Sequence, residues 1–374
     1  MTTCQVPSDG QDLTACGTGV RRGPMNREAP ARTGLAAIAA EAGVSPATVS
    51  RAFNLPELVS EEVRERILRI AAERNYSPHP AARALRSRRT HIVGVALPTL
   101  DYAIFARLIN RFQARFAEDG FTTIVTTTGF DNRTIHDKVR LLLDRGAEAI
   151  LLVGAVEDPA LRALLARTNV PFVTTYSVPP DPVVPAVGFD NGAATASAVR
   201  HLIALGHRNF AMIAGLTAGN DRQRDRIAAY RACLAEAGLT GADRVVNHGF
   251  DMTAGAAAAA EILDRWPDTT AIVCNTDIFA VGAMAECRRR GLSVPQDVSI
   301  VGFDDADYAA LLDPPLTTVA VPASEMGALA AEALLGAVRS GQRPEPRVLS
   351  ADLVVRGTTA PPRRQVRSGA RGRA

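Results

Sequence analysis

Residues 35–54, LAAIAAEAGVSPATVSRAFN, dictate two short helices and the turn between them. Leu35, Ile38, Ala39 and Ala42 fall at i, i+3, i+4 and i+7, the apolar stripe of one short amphipathic helix. Gly43 stops it. Ser45 is placed to accept orphan N–H groups of a new helix, and Pro46 stands at its first position, where a missing N–H costs nothing. Along this second helix Val49, Ala52 and Phe53 repeat at i, i+3 and i+4 and turn inward, which leaves Ala47, Thr48, Ser50 and Arg51 outside. A small, polar and basic face of this kind sinks into a major groove, where a guanidinium takes both acceptors of a guanine edge. Arg51 is the candidate for that contact. Helical hairpins also occur in proteins that never meet DNA, and the surrounding sequence decides between the two.

Ser60 is the expected cap of a third helix, with Glu61 and Glu62 on its positive end and Val63, Ile67, Ile70 and Ala71 as the stripe that closes a small core. Beyond it, Arg74, Arg83, Arg86, Arg88 and Arg89 run without an intervening carboxylate, which favours a polyanion. Pro78 and Pro80 hold off helix before Ala81, so only a turn or two can follow, too short to persist alone in water. Such a segment orders on a partner. Leu85 has no apolar companion there except Ala81 and Ala82; it reads either as an ordinary linker leucine or as a minor-groove wedge.

GVSPATVSRAFN, VSEEVRERI, YSPHPAARALRS and the following IVGVALP resemble the lactose- and purine-repressor family of bacterial regulators, over residues 34 to about 360. The resemblance implies a homodimer on double-stranded, pseudo-palindromic operator DNA. It implies that Pro46, Ala47 and Arg51 read bases and that Thr48, Ser50 and Asn54 position the DNA backbone. It also implies a hinge over 76–90, ordered only on the operator, that contacts DNA through Ala82 and inserts Leu85 into the minor groove. Pro46 has no donor and Ala47 only a methyl, so direct readout leans on Arg51 and on apolar contact with thymine methyls.

From His91 onward, apolar β-branched runs alternate with amphipathic stretches: 92–97, 122–128, 149–155 and 172–176, then 210–215, 271–276 and 298–304. The rhythm is that of two doubly wound α/β halves with parallel sheets. Ligands of such sheets sit beyond the carboxyl ends of the strands, so the residues after each run are the informative ones. Ile104 and Phe105 follow the first run as an apolar wall, Tyr176 ends the fourth, and Asn220, Arg222 and Arg226 are expected in a loop after 215. Asp251 and Asp304, at expected strand ends, complete a set that suits a polyhydroxylated ligand. By the resemblance, the core is a two-lobed, periplasmic-binding-protein-like fold. Arg226 in RIAAY and Asp304 in VGFDD then match the family's effector arginine and aspartate, and Asn220, Arg222 and Asp251 align with variable pocket positions. The Arg222 and Arg226 pair can meet a carboxylate, which favours a sugar or sugar acid over a purine. Asp190, Asp277 and Asp305 read rather as residues that hold loops.

The expected organisation is a disordered extension over 1–32, a helix-turn-helix domain over 33–75, the hinge over 76–90, a core over 91–360 and a basic tail over 361–374. Lobe one takes about 91–190 and 323–350, lobe two about 191–322 and 351–360. Met25 offers a second candidate start. The net charge of +3 conceals basic ends around an acidic middle. Cys4, Cys16, Cys233, Cys274 and Cys287 are odd in number and scattered, and fit neither a disulfide framework nor a zinc pattern; neither metal nor cofactor is expected. His201 and His207, on a helix and at its end, are expected to face solvent or cap. No apolar run reaches the roughly 18 residues of a membrane helix and no secretory pattern opens the chain, so a cytoplasmic protein is expected. With no nucleophile elbow, phosphate loop or dinucleotide fingerprint, an enzyme is not expected. The rival to a repressor controlled by a small molecule is a solute-binding protein of a sugar transport system, which shares the two-lobed core but has no use for residues 33–90. The tail PPRRQVRSGARGRA lacks a heptad, which favours a dimer over a tetramer.

Overall fold

The computed structural model describes residues 34–76, 89–130, 133–179, 183–239 and 243–363. The chain divides into two units between Arg86 and Ser87. In the first, α1 (Leu35–Ala42), α2 (Pro46–Asn54) and α3 (Glu61–Glu73) close on Ile38, Ala39, Ala42, Val49, Ala52, Ile67 and Ile70. Gly43 ends α1 because the chain turns there through φ 66°, a left-handed conformation that costs glycine little. The Ser45 hydroxyl accepts the Thr48 N–H at 3.1 Å and so caps α2. At α3 the expectation fails in part. Ser60 stands at the cap position but its side chain makes no cap bond, leaving Glu61 and Glu62 as what favours that end. Ser45→Ala is expected to destabilise this unit by about 1 kcal/mol; hydrogen exchange of the α2 amides in the full chain, compared with the parent, measures the loss.

The second unit holds two six-stranded sheets. The first contains β1 (Ile92–Leu97), β2 (Thr122–Thr127), β3 (Ala147–Val153), β4 (Phe172–Thr175) and β5 (Ala186–Phe189), linked through α4 (Ala103–Glu118), α5 (Ile135–Asp144) and α6 (Pro159–Thr168). After β5 the chain passes through α7 (Asn191–Ala204) into the second sheet. There β6 (Phe210–Gly215), β7 (Val245–His248), β8 (Ala271–Cys274), β9 (Ser299–Asp304) and β10 (Thr317–Ala320) alternate with α8 (Asp221–Glu236), α9 (Met252–Arg265) and α10 (Asp277–Arg289). The chain then returns through α11 (Ala323–Ser340) and adds β11 (Arg347–Leu349) to the first sheet and β12 (Leu353–Val354) to the second. The orders are β11-β5-β4-β3-β1-β2 and β12-β10-β9-β8-β6-β7, parallel throughout except for β12 against β10.

Central strands read as unbroken apolar runs because both faces are covered, as at Val93, Val95, Ala96 and Leu97, all 1% exposed or less. In each sheet the order reverses, between β1 and β3 and between β6 and β8, and at such a switch the connections diverge and leave a crevice at the strands' carboxyl ends. One expectation is corrected here. His207 does not face solvent: it is turned into the core, where its ring pairs with Thr270 Oγ1 (2.9 Å), Ser299 Oγ (3.1 Å) and the Ala360 carbonyl (2.9 Å) and ties the end of the core to the second sheet. Burial lowers its pKa. Cys233, Cys274 and Cys287 are buried free thiols. No described helix is long and apolar enough to cross a membrane.

Candidate functional site

On α2, Pro46, Ala47 and Arg51 are exposed, while Thr48, Ser50 and Asn54 are partly so. Arg51 forms no ion pair among the described residues, so its charge faces outward uncommitted. Thr48 Oγ1 shares a hydrogen bond with Ser45 Oγ (2.9 Å), and the Asn54 amide turns back to donate to the Ser50 carbonyl at 2.6 Å. Ala82 and Leu85, with nearly all of the expected hinge, lie outside the described residues.

In the second unit, the residues that follow strands converge between the sheets. Ile104, Phe105 and Tyr176 from the first sheet meet Asn220, Arg222, Arg226 and Asp304 from the second around one cavity of about 50 Å³. Two local expectations are corrected. Arg222 and Arg226 belong to the first turns of α8, not to a loop, because the helix starts directly after Asn220. Asp251 does not join this cavity: β7 ends at His248, and Asp251 is the exposed cap of α9, accepting the Ala254 N–H at 2.6 Å. It lines a neighbouring space of about 340 Å³, and Phe250 enters the cleft in its place.

Arg226 is 4% exposed. It donates to Asn191 Oδ1 (2.9 Å) and the Asn275 carbonyl (2.6 Å), and its guanidinium lies 3.5 Å over the Phe303 ring. Burial lowers its pKa to about 10 against the opposing pull of Asp304. Asp304 closes β9 at φ 123°, a conformation that non-glycine residues rarely adopt and that clusters at functional sites. Its carboxyl accepts no hydrogen bond among the described residues. Burial, with Asp277 adding, pushes that carboxyl well above the usual carboxylate range, while Arg226 and Arg107 oppose. Asp304 as a residue is half-buried, whereas Asn220 Oδ1 is fully buried and has no partner among the described residues. Two acceptors thus line the cleft with no protein donor. Tyr176, at φ 65°, is already committed, its hydroxyl donating to the Ile104 carbonyl at 2.7 Å and its ring meeting Phe105 edge-on.

The contacts that join the two lobes were not legible in the sequence. Asp221 of α8 accepts the Ala155 N–H (3.0 Å) and the Ser177 hydroxyl across the cleft, and pairs with Arg222 at 3.1 Å. Burial opposes ionisation of Asp221, but Arg222, Ser177 and Ala155 outweigh it and hold its pKa below the ordinary value. Arg222 reaches over Gly154 so closely that a Cβ there would collide with the guanidinium. On another wall Arg107 donates to the Asp305 carbonyl (3.0 Å) and pairs with Asp307. Asp190 caps α7, Asp277 accepts Ala306 N–H and Thr318 Oγ1, and Asp305 pairs with Arg356 at 2.8 Å. Among the described residues no group of three or more His, Cys, Asp and Glu is arranged to hold a metal ion.

A three-helix unit with an exposed basic helix, joined to a two-lobed core with an interlobe cleft, defines a ligand-responsive DNA-binding protein. The patterns described as "Bacterial regulatory proteins, lacI family" and "Periplasmic binding protein-like domain" match residues 35–79 and 199–359. The chain is 35% identical to the HTH-type transcriptional regulator MalR of Streptomyces coelicolor, over 88% of this chain and 97% of that one. It is 31% identical to the HTH-type transcriptional repressor CytR of Escherichia coli K12, over 86% and 95%. Among solved structures, a lac repressor dimer bound to operator and an anti-inducer matches with a TM-score of 0.79 at 27% identity, over 87% of this chain and 99% of that one. A CelR–cellobiose complex matches with a TM-score of 0.64 at 30% identity, over 87% and 99%. This chain belongs to the lacI family of bacterial regulatory proteins: it is a DNA-binding transcriptional regulator, not a transport protein.

Proposed function

We propose that the protein works in the cytoplasm as a homodimeric repressor, reading operator DNA through α2, and that its interlobe cleft binds a neutral sugar without transforming it. The two unpaired acceptors, Asn220 Oδ1 and the Asp304 carboxyl, carry this reading. For Asn220 Oδ1, which is buried and dry, the cost is about 1–3 kcal/mol, which a ligand hydroxyl recovers by donating to it. A carboxylated ligand brings acceptors to Asn220 Oδ1, and its charge opposes ionisation of Asp304. Arg222 is already paired with Asp221, and Arg226 is engaged by Asn191, the Asn275 carbonyl and Phe303. Between a sugar and a sugar acid, the sugar is therefore favoured. Effector control is linkage: a sugar that prefers one arrangement of the lobes changes operator affinity by its differential affinity for the two.

The test is thermal unfolding of the full chain with D-glucose, D-ribose, maltose, cellobiose, D-glucuronate and adenine, followed by operator binding with whichever stabilises. A neutral sugar at 100 times its Kd is expected to stabilise by about 2.7 kcal/mol and to change operator occupancy. Stabilisation by glucuronate or adenine alone would overturn the assignment.

A further inference from the structure

Three phenylalanine rings stack outward from the second sheet into the cleft. Phe279 is fully buried, Phe250 lies on it with centroids 5.7 Å apart, and Phe130 lies on Phe250 at 3.9 Å with only 15° between the planes. Phe250 is seated: a Cβ on Gly215 would collide with the tip of its ring, which therefore closes on the end of β6. Phe130 differs. It comes from the other lobe, after β2, and follows Gly129 at φ 74°; like Phe250 it is half-buried.

Both rings border the same cavity as Asn220 and Asp304, and that cavity retains about 50 Å³. Ligand sites usually offer on the order of 300–1,000 Å³. With Phe130 in place this cavity has room for water but not for a sugar ring, and the neighbouring space of about 340 Å³ beside Asp304 is lined by neither Asn220 nor Phe250. We propose that Phe130 occupies, in the sugar-free protein, the place of the effector's ring, and that binding requires this side chain to leave. The proposal rests on the sugar reading of the cleft.

The chemistry of the exchange is matched on both sides. One face of a pyranose presents C–H groups, so it can take over the apolar contact with Phe250 that Phe130 gives up. The hydroxyls at its edge then donate to Asn220 Oδ1 and Asp304, which a phenyl ring cannot do. Displacing Phe130 costs its face-to-face contact with Phe250 between lobes and its tilted contact with Tyr102 at 5.9 Å, and the half-buried ring has solvent to move into.

Phe130→Ala and Phe130→Trp, compared with the parent in the full chain, test this by titration with glucose, ribose, maltose and cellobiose. Phe130→Ala is expected to bind the responding sugar about two- to tenfold more tightly, the strength of one aromatic pair that no longer competes. In Phe130→Trp, the emission left after subtracting that of Trp266 in the parent is expected to move to the red on adding sugar, as the introduced indole is expelled into water. Weaker binding by Phe130→Ala, or an emission from the introduced indole that stays put or moves to the blue, makes the ring a ligand contact and overturns the proposal. Should Phe130→Ala fail to fold, the emission experiment decides alone. If no sugar acts on the parent or on either variant, the sugar reading itself falls, and the exchange with it.

Discussion

Asp304→Asn is expected to raise the sugar concentration for half-response by about ten- to a hundredfold, while sugar-free operator binding persists. The magnitude is that of one hydrogen bond to a charged group, about 1.5–3 kcal/mol. The direction follows from the site. Without ligand, burial with no donor drives the Asp304 carboxyl toward its neutral form. Hydroxyls donating to it, together with Arg226 nearby, favour the carboxylate, so sugar binding expels a proton. Binding should therefore strengthen as pH rises through the raised pKa of the sugar-free protein and level off above it. Asparagine has no proton to lose. Calorimetric titrations in buffers of different ionisation enthalpy read the expelled proton directly; an unchanged pH profile in Asp304→Asn would assign the linkage elsewhere.

The lobes are already joined on two walls, by Asp221 to Ser177 and Ala155 and by Arg107 to the Asp305 carbonyl and Asp307. A sugar therefore does not have to create the closed arrangement from nothing. It competes with Phe130 inside an arrangement that protein contacts already hold, and its leverage on the operator is only the difference between its affinities for the two states.

What could be read from the sequence was what neighbours along the chain decide. The break at Gly43, the Ser45 cap and Pro46 at the first helical position are local events, and α2 starts where they put it. Most buried central strands announced themselves as apolar runs, whereas β5 and β10, AVGF and TTVA, are too short to stand out, and β7, expected to end at Asp251, stops at His248. At α8 the usual pattern inverts. Asp221, Arg222, Gln223 and Arg226 are the buried residues of its first turns, so a helix whose charged face points inward read as a loop. Such violations are expected where a fold builds a site. Asp251 was misplaced although an aspartate before MTAGAAAA is a cap signal. The bonds from Asp221 to Ser177 and Ala155 join residues 44 and 66 positions apart, and no local rule reaches that far.

Arg51→Ala is expected to lose about 1–3 kcal/mol of operator binding and to relax preference at one base pair. The exposed surface of α2 concentrates the expectation on this residue. Pro46 offers no N–H, Ala47 offers a methyl, and the amide of Asn54 is drawn back to Ser50, which leaves Arg51 as the long donor on the exposed helix. A guanidinium that takes both acceptors of a guanine loses far more on the right sequence than on a wrong one. A guanidinium that only neutralises a phosphate loses equally on both and lowers the salt dependence by about one counterion. Measuring parent and variant on operator and on scrambled DNA, at two salt concentrations, separates these cases. Equal losses on both DNAs with a shallower salt slope would make Arg51 a backbone contact and shift sequence readout to methyl contacts and DNA shape.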